Sequence, residues 1–193
     1  MIELVFNVVG QGTSILSAKR EGEPLDLIGP LGTPFRTQGD FGTAYLVGGG
    51  LGTAPFPFLT AALTRERKSV RSFVGARTAR QLVDRHLVNV EFATDDGSKG
   101  VHGTVVDLLT NWISNHSEGK VRVFGCGPMK MLKALADLTR NAKIECELSL
   151  EGDMACGMGI CQGCPVERAS GNKKYSLVCT DGPTFKSEDI VLR

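Results

Sequence analysis

The chain has 193 residues, with 22 basic against 21 acidic side chains, 24 glycines and six cysteines. This balance leaves no basic stripe for nucleic acid, and no apolar run reaches the roughly 20 residues of a membrane span. The opening Met-Ile-Glu-Leu lacks the charged-then-apolar pattern of an export signal. The expectation is therefore a cytoplasmic protein with reduced thiols and no nucleic-acid or membrane partner.

In chain order, residues 2–9 read as a strand running into a Gly-Gln-Gly-Thr turn at 10–13 that exposes backbone N–H groups. Residues 25–28 read as a short strand ending at Gly-Pro-Leu-Gly, 29–32, and a loop follows. From residue 44 the pattern changes. An apolar strand at 44–47 ends in Gly48, Gly49, Gly50, Leu51, Gly52 and Thr53, and a helix is predicted over 56–67. Strands follow at 70–74, 88–93, 121–124 and 144–150, with helices at 78–86, 105–115 and 129–140. Strands alternating with helices predict parallel βαβ units, hence an α/β fold with a doubly wound sheet over 44–150. Beyond Leu150 the periodicity stops, and a small separate lobe is expected over 151–193.

The glycine run at 48–53 follows a strand and opens a helix. Glycines there permit close approach of backbone to a pyrophosphate, and a helix N-terminus is electropositive. The run departs from G-x-G-x-x-G because Thr53 stands at the third glycine position. An ordinary strand–helix turn has the same appearance. A second loop, Gly125, Cys126, Gly127, Pro128 and Met129, also ends a predicted strand. The two loops would flank one crevice beyond the carboxyl ends of the strands.

Four cysteines carry the sharpest signal. Cys156, Cys161 and Cys164 form C-x4-C-x2-C on one Gly-rich loop, and Cys179 follows after fourteen residues. This is the plant-type ligand run of a [2Fe–2S] cluster. Gly157, Gly159 and Gly163 would let the backbone curl round the cluster and aim N–H groups at sulfur. A structural zinc site would normally show two short knuckles, and only Cys161/Cys164 fits one. Cys146, on a predicted strand, is assigned to the core.

Together, the glycine run, the Gly-Cys-Gly-Pro turn, Thr-Asp-Asp-Gly-Ser at 94–98, Ser-Leu-Glu at 149–151, the cysteine loop and Val-Cys-Thr-Asp-Gly-Pro at 178–183 span nearly the whole chain. With them the chain resembles the ferredoxin–NADP reductase superfamily. Within it, the match is close to the electron-transfer subunits of dihydroorotate dehydrogenase B. The resemblance implies three units: a remnant of an FAD-binding β-barrel (1–43), an NAD-binding domain (44–150) and a [2Fe–2S] lobe (151–193). It implies electrons passing from the FMN of a dihydroorotate dehydrogenase catalytic subunit through [2Fe–2S] and FAD to NAD⁺, in a heterotetramer serving pyrimidine biosynthesis. FAD would be held by Gly10, Gly12, Thr13, Gly29, Leu31 and Gly32. NAD would be held by Gly48–Thr53, Asp96 and the turn at 125–129, with Cys126 beside the reacting nicotinamide. The family's Arg-x-Tyr/Phe-Ser/Thr flavin grip is not matched, so the chain reads as starting at a late barrel strand. Arg77, after the second sheet strand, is a candidate for a 2′-phosphate or a solvated loop charge. Rival readings are the corresponding subunit of a hydrogenase, sulfite reductase or NAD(P)H–ferredoxin oxidoreductase, and a non-catalytic iron–sulfur scaffold lacking flavin.

Overall fold

A computed structural model describes residues 2–116 and 119–193. Its centre is a mostly parallel sheet. In chain order the strands are β1 (Thr43–Gly49), β2 (Ser69–Ala76), β3 (Val90–Thr94), β4 (Val101–His102), β5 (Val121–Cys126) and β6 (Glu145–Ser149). A hairpin of β7 (Pro165–Glu167) and β8 (Tyr175–Leu177) follows, and β9 (Thr184–Lys186) is last. The order across the sheet is β4-β3-β2-β1-β5-β6-β9, parallel except for β9, which runs antiparallel to β6. The predicted doubly wound α/β class is what the structure has.

The helices are α1 (Gln11–Ser17), α2 (Phe56–Arg65), α3 (Val105–Asn115) and α4 (Met129–Asn141). Each of the last three has one apolar face at helical spacing. Phe56, Leu59 and Leu63 bury one side of α2, and Leu132, Leu135, Ala136 and Thr139 bury one side of α4. Helix α3 starts at a reciprocal cap. The Thr104 hydroxyl accepts from Asp107 N at 3.1 Å, and Asp107 Oδ2 accepts from Thr104 N at 3.0 Å. Thr104→Ala removes half of that capping box, so thermal unfolding should report a loss of about 1 kcal/mol.

Tyr45, Phe73, Val123 and Leu148 pack with α3 and α4 on one side of the sheet. Leu46, Phe124 and Cys126 pack with α2 on the other. There, among the described residues, no helix covers the β5–β6 half. Residues 33–42 cover it as a strap. Phe35 sits edge-on to Phe124 with centroids 5.5 Å apart. Arg122 donates to the carbonyls of Arg36 (3.1 Å) and Gln38 (2.8 Å) while its Nε donates to Glu145 at 2.9 Å.

Several predicted elements differ. Residues 2–9 and 25–28 are not strands. A strand needs a ladder partner and a surface to cover, and here Ile2, Leu4, Val9, Leu25, Leu27 and Ile28 are all exposed. The turn at 10–13 instead opens the seven-residue α1. Its Gly10 N–H is engaged rather than presented, since Thr13 Oγ1 accepts from Val9 N and Gly10 N at 2.9 and 3.1 Å. The helix over 78–86 shrinks to a 3-10 turn, Ala79–Gln81. Leu82 turns extended, His86 and Asn89 have positive φ, and Ala79 N donates to Ser98 Oγ at 2.8 Å, which ties the segment to the neighbouring loop. The region after Leu150 is also less separate than its lost periodicity suggests. Strand β9 joins the main sheet, and Cys164, Val178, Cys179 and Phe185 share the core of Leu132, Leu135 and Leu148.

Candidate functional site

Strand β1 is followed in sequence by β2 on one side and flanked by β5 on the other, so the sheet reverses direction of growth between β1 and β5. Such a switch point opens a crevice at the carboxyl ends of the strands. Gly48 and Gly49 end β1, and Gly50, Gly52 and Thr53 form a 3-10 turn that leads into α2. Gly125 and Cys126 end β5, Gly127 and Pro128 form the turn, and Met129 begins α4. Gly48 stands opposite Cys126 in the β1–β5 register.

The two loops touch. A Cβ on Gly52 would run into the Cys126 carbonyl and the Gly127 Cα, so only glycine lets them meet. Gly50 differs. Its φ is +56° and nothing lies within 4 Å of where a Cβ would be, so its backbone is open to approach at the end of β1. Met131, one position the sequence reading passed over, lies against Gly49 and Gly127. Its only signal was its place in the first turn of α4.

Cys126 is buried at 6% exposure, and burial pushes its thiol up to about 11 despite a hydrogen bond with Ser149. It is a neutral thiol in the crevice wall at ordinary pH. Cys146 lies deeper in the core, where burial pushes it to about 12, as fits a core assignment. Asp96 lies beyond β3, two strands from the switch point. The hydroxyl and then the backbone N–H of Ser98 hold its carboxyl below the usual range, at 2.6 and 3.0 Å. Its oxygen is thus engaged in its own turn. Arg77 is exposed just past β2, and its carbonyl accepts from Asp96 N.

The cysteine loop is held by N–H···S contacts. Cys161 N donates to Cys156 Sγ, Gly163 N to Cys161 Sγ and Cys179 N to Cys164 Sγ, each at 3.4 Å. Gly157 and Gly159 have φ of +70° and +85°, as a loop curling round a cluster requires. Gln162, rather than Gly163, is the third residue in that conformation. The N–H···S hydrogen bonds tie Cys161 to Cys156 and Cys179 to Cys164, and Cys156 also acts electrostatically on Cys179. Among the described residues no three metal-ligating side chains converge on one point. Two pairs suit a two-iron cluster, in which each iron takes two thiolates. The backbone N–H groups of Cys161 and Met158 pull the Cys156 thiol down to about 6. The Cys164 side chain, and then burial, push Cys179 up. A loop that lowers one thiol with backbone dipoles is chemically suited to an iron–sulfur cluster, and the donor set fits it.

The expected flavin residues fall in two places. Gly10, Gly12 and Thr13 lie in or beside α1, exposed or nearly so. Gly29, Leu31 and Gly32 lie in the segment that runs against the loop after Cys179.

A doubly wound dinucleotide sheet followed by a three-cysteine loop and a fourth cysteine beyond a hairpin defines an iron–sulfur electron-transfer module of the ferredoxin reductase type. Residues 151–191 match the family described as the iron–sulfur cluster binding domain of dihydroorotate dehydrogenase B. The chain is 34% identical to the dihydroorotate dehydrogenase B (NAD(+)) electron transfer subunit of Desulforamulus reducens, over 99% of this chain and 74% of that protein. It is 35% identical to the one from Caldanaerobacter subterraneus, over 97% and 74%. A solved structure of an NADH-dependent reduced ferredoxin-NADP oxidoreductase superposes with a TM-score of 0.82 at 30% identity, covering 97% of this chain and 67% of that one. The chain belongs to the family of dihydroorotate dehydrogenase B (NAD(+)) electron transfer subunits.

Proposed function

We propose that this chain is an oxidoreductase subunit that carries electrons from dihydroorotate oxidation to NAD⁺ in pyrimidine biosynthesis, with [2Fe–2S], FAD and NAD as cofactors. The observation that carries this is the joining of a paired-thiol loop to a switch-point crevice through one sheet and one core. When bound, the cluster carries single electrons and the flavin converts them to the two-electron hydride that nicotinamide accepts. Cys156 with Cys161, and Cys164 with Cys179, would hold the cluster. Gly48–Thr53 and Gly125–Met129 would seat the coenzyme, with Gly50 against its pyrophosphate and the neutral Cys126 thiol walling the nicotinamide end. Gly10, Gly12, Thr13, Gly29, Leu31 and Gly32 would contact FAD, and Asp96 would shape the far loop of the coenzyme site. The functional units are then residues 1–43, 44–150 and 151–193. NAD⁺ is favoured over NADP⁺ because the relatives carry NAD(+) in their names. Arg77 then reads as a solvated charge.

The catalytic partner is an FMN-bearing dihydroorotate-oxidising subunit, two copies of each chain making a heterotetramer in the cytoplasm. No helix among the described residues is long and apolar enough to cross a membrane. Met154, Met158 and Ile160 on the cluster loop are exposed, Ile160 at 77%. Burying an apolar side chain of this kind is worth roughly 1.5–3 kcal/mol, so the loop is a favourable docking surface. Co-expression with a dihydroorotate-oxidising catalytic subunit should give one complex on size-exclusion chromatography. Separate elution at micromolar concentration would overturn the partner assignment.

The structural likeness to the ferredoxin-NADP oxidoreductase supports a second reading, in which the same conduit serves ferredoxin rather than dihydroorotate. Anaerobic assays with each donor separate the two. Orotate formation coupled to NADH favours the first, and ferredoxin-dependent coenzyme reduction favours the second.

A further inference from the structure

The segment Val-Cys-Thr-Asp-Gly-Pro at 178–183 extends beyond the ligand Cys179, and nothing in the cluster's chemistry requires the residues after it. In the structure they meet the segment around Thr33. Thr33 N donates to the Gly182 carbonyl, Thr184 Oγ1 donates to the Thr33 carbonyl at 2.8 Å, and Thr33 forms a bridge with Pro183. Glycine is needed on both sides. Gly32 has a φ of +72° and no room for a Cβ against Gly182 and Pro183. A Cβ on Gly182 would strike the Phe185 ring. On the cluster side the turn is closed. Leu177 N donates to Asp181 Oδ2 at 2.8 Å, Asp181 N to the Leu177 carbonyl at 2.9 Å, and Cys179 N to Cys164 Sγ. Three residues of closed turn therefore separate a cluster ligand from the segment that carries Gly29, Leu31 and Gly32.

We propose that the Thr33–Gly182 junction is a positioning device that sets the separation of the flavin-contacting segment from the cluster, so that residues 180–184 govern the rate of electron exchange between them. This rests on the flavin assignment above. Electron transfer falls steeply with distance, and two backbones in hydrogen-bonded contact admit neither water nor a side chain between them. Gly182 and Thr184 act through the junction and touch no reacting atom.

The test mixes NADH anaerobically with the co-expressed holocomplex and follows flavin and cluster separately. NADH gives a hydride to the flavin. One electron then passes from reduced flavin to oxidised cluster, the accompanying proton going to water. In Gly182→Ala the flavin should be reduced at the wild-type rate while cluster reduction slows at least tenfold, with iron content and the dithionite-reduced spectrum unchanged. Thr184→Val removes one hydrogen bond without crowding and should slow the same step about threefold, which keeps the test decisive if Gly182→Ala folds poorly. Wild-type cluster reduction in the folded variants would overturn the proposal. Hydrogen exchange supplies an arm independent of flavin. The Thr33 amide should exchange at least tenfold faster in protein stripped of its cluster than in loaded protein, and equal rates would overturn the junction. A wild-type complex whose flavin ignores NADH counts instead against the proposed function, and the exchange experiment still decides the junction.

Discussion

Replacing Cys179 with serine is expected to remove most of the visible absorbance of the anaerobically purified protein and to cut its iron well below two per chain. The reason is the pairing. Cys179 contacts Cys164, and both are almost wholly buried at the inner side of the loop. A serine there loses the thiolate that iron prefers and leaves the buried partner to hold an iron alone. Cys156, Cys161 and Cys164 should behave alike, with Cys161 the mildest because it is exposed and the loop there has room to adjust. Cys146→Ser is the control. Cys146 packs on the α3–α4 side of the sheet and should leave the spectrum unchanged, at some cost in stability. Iron and sulfide analysis of the five variants checks the set. Bleaching in Cys146→Ser together with a normal spectrum in Cys179→Ser would show the ligand assignment to be wrong.

The second large effect is expected at Gly50. Valine there meets two obstacles. Its φ of +56° suits glycine and strains a β-branched side chain. The new side chain would also occupy the open space beside Gly50, where the proposed coenzyme pyrophosphate is to approach. The KM for NADH should rise ten- to a hundredfold, about 1.4–2.8 kcal/mol of binding, while iron content and the cluster spectrum stay at wild-type values. Steady-state reduction of an artificial acceptor by NADH, measured beside an iron assay, separates the two. Unchanged coenzyme kinetics would remove the crevice from consideration.

The parts legible in sequence are those whose signal is local. Strands 44–47, 70–74 and 121–124 are short apolar runs bounded by glycine or charge, and they formed as Thr43–Gly49, Ser69–Ala76 and Val121–Cys126, two or three residues longer. The spacing of the cysteines fixed which thiols share a loop, because a C-x4-C-x2-C run leaves the chain little freedom. What escaped the sequence depends on partners far away in the chain. The strand expected at 2–9 has good β-formers but no neighbouring edge among the described residues. The helix expected at 78–86 lost to a hydrogen bond from Ala79 N to Ser98, nineteen residues on. Strand β9 has only three residues and no alternation to mark it. Its place is set by Glu147, Leu148 and Ser149 across the ladder. Asp96 stood in a motif that resemblance tied to coenzyme, and only the structure places its carboxylate against Ser98.

Because β6 and β9 pair side by side, residues 150–183 leave the sheet and return to it at neighbouring strands, with both ends pinned. This bears on biogenesis. The sheet is incomplete until Thr184–Lys186 have been synthesised, so all four ligand cysteines emerge before the frame that gathers them closes. An iron–sulfur donor then meets a hoop already fastened at its base. Oxidative loss of the cluster should loosen the Thr33 junction yet leave the β6–β9 pairing in place, so that the loop can be refilled without the dinucleotide half having to refold.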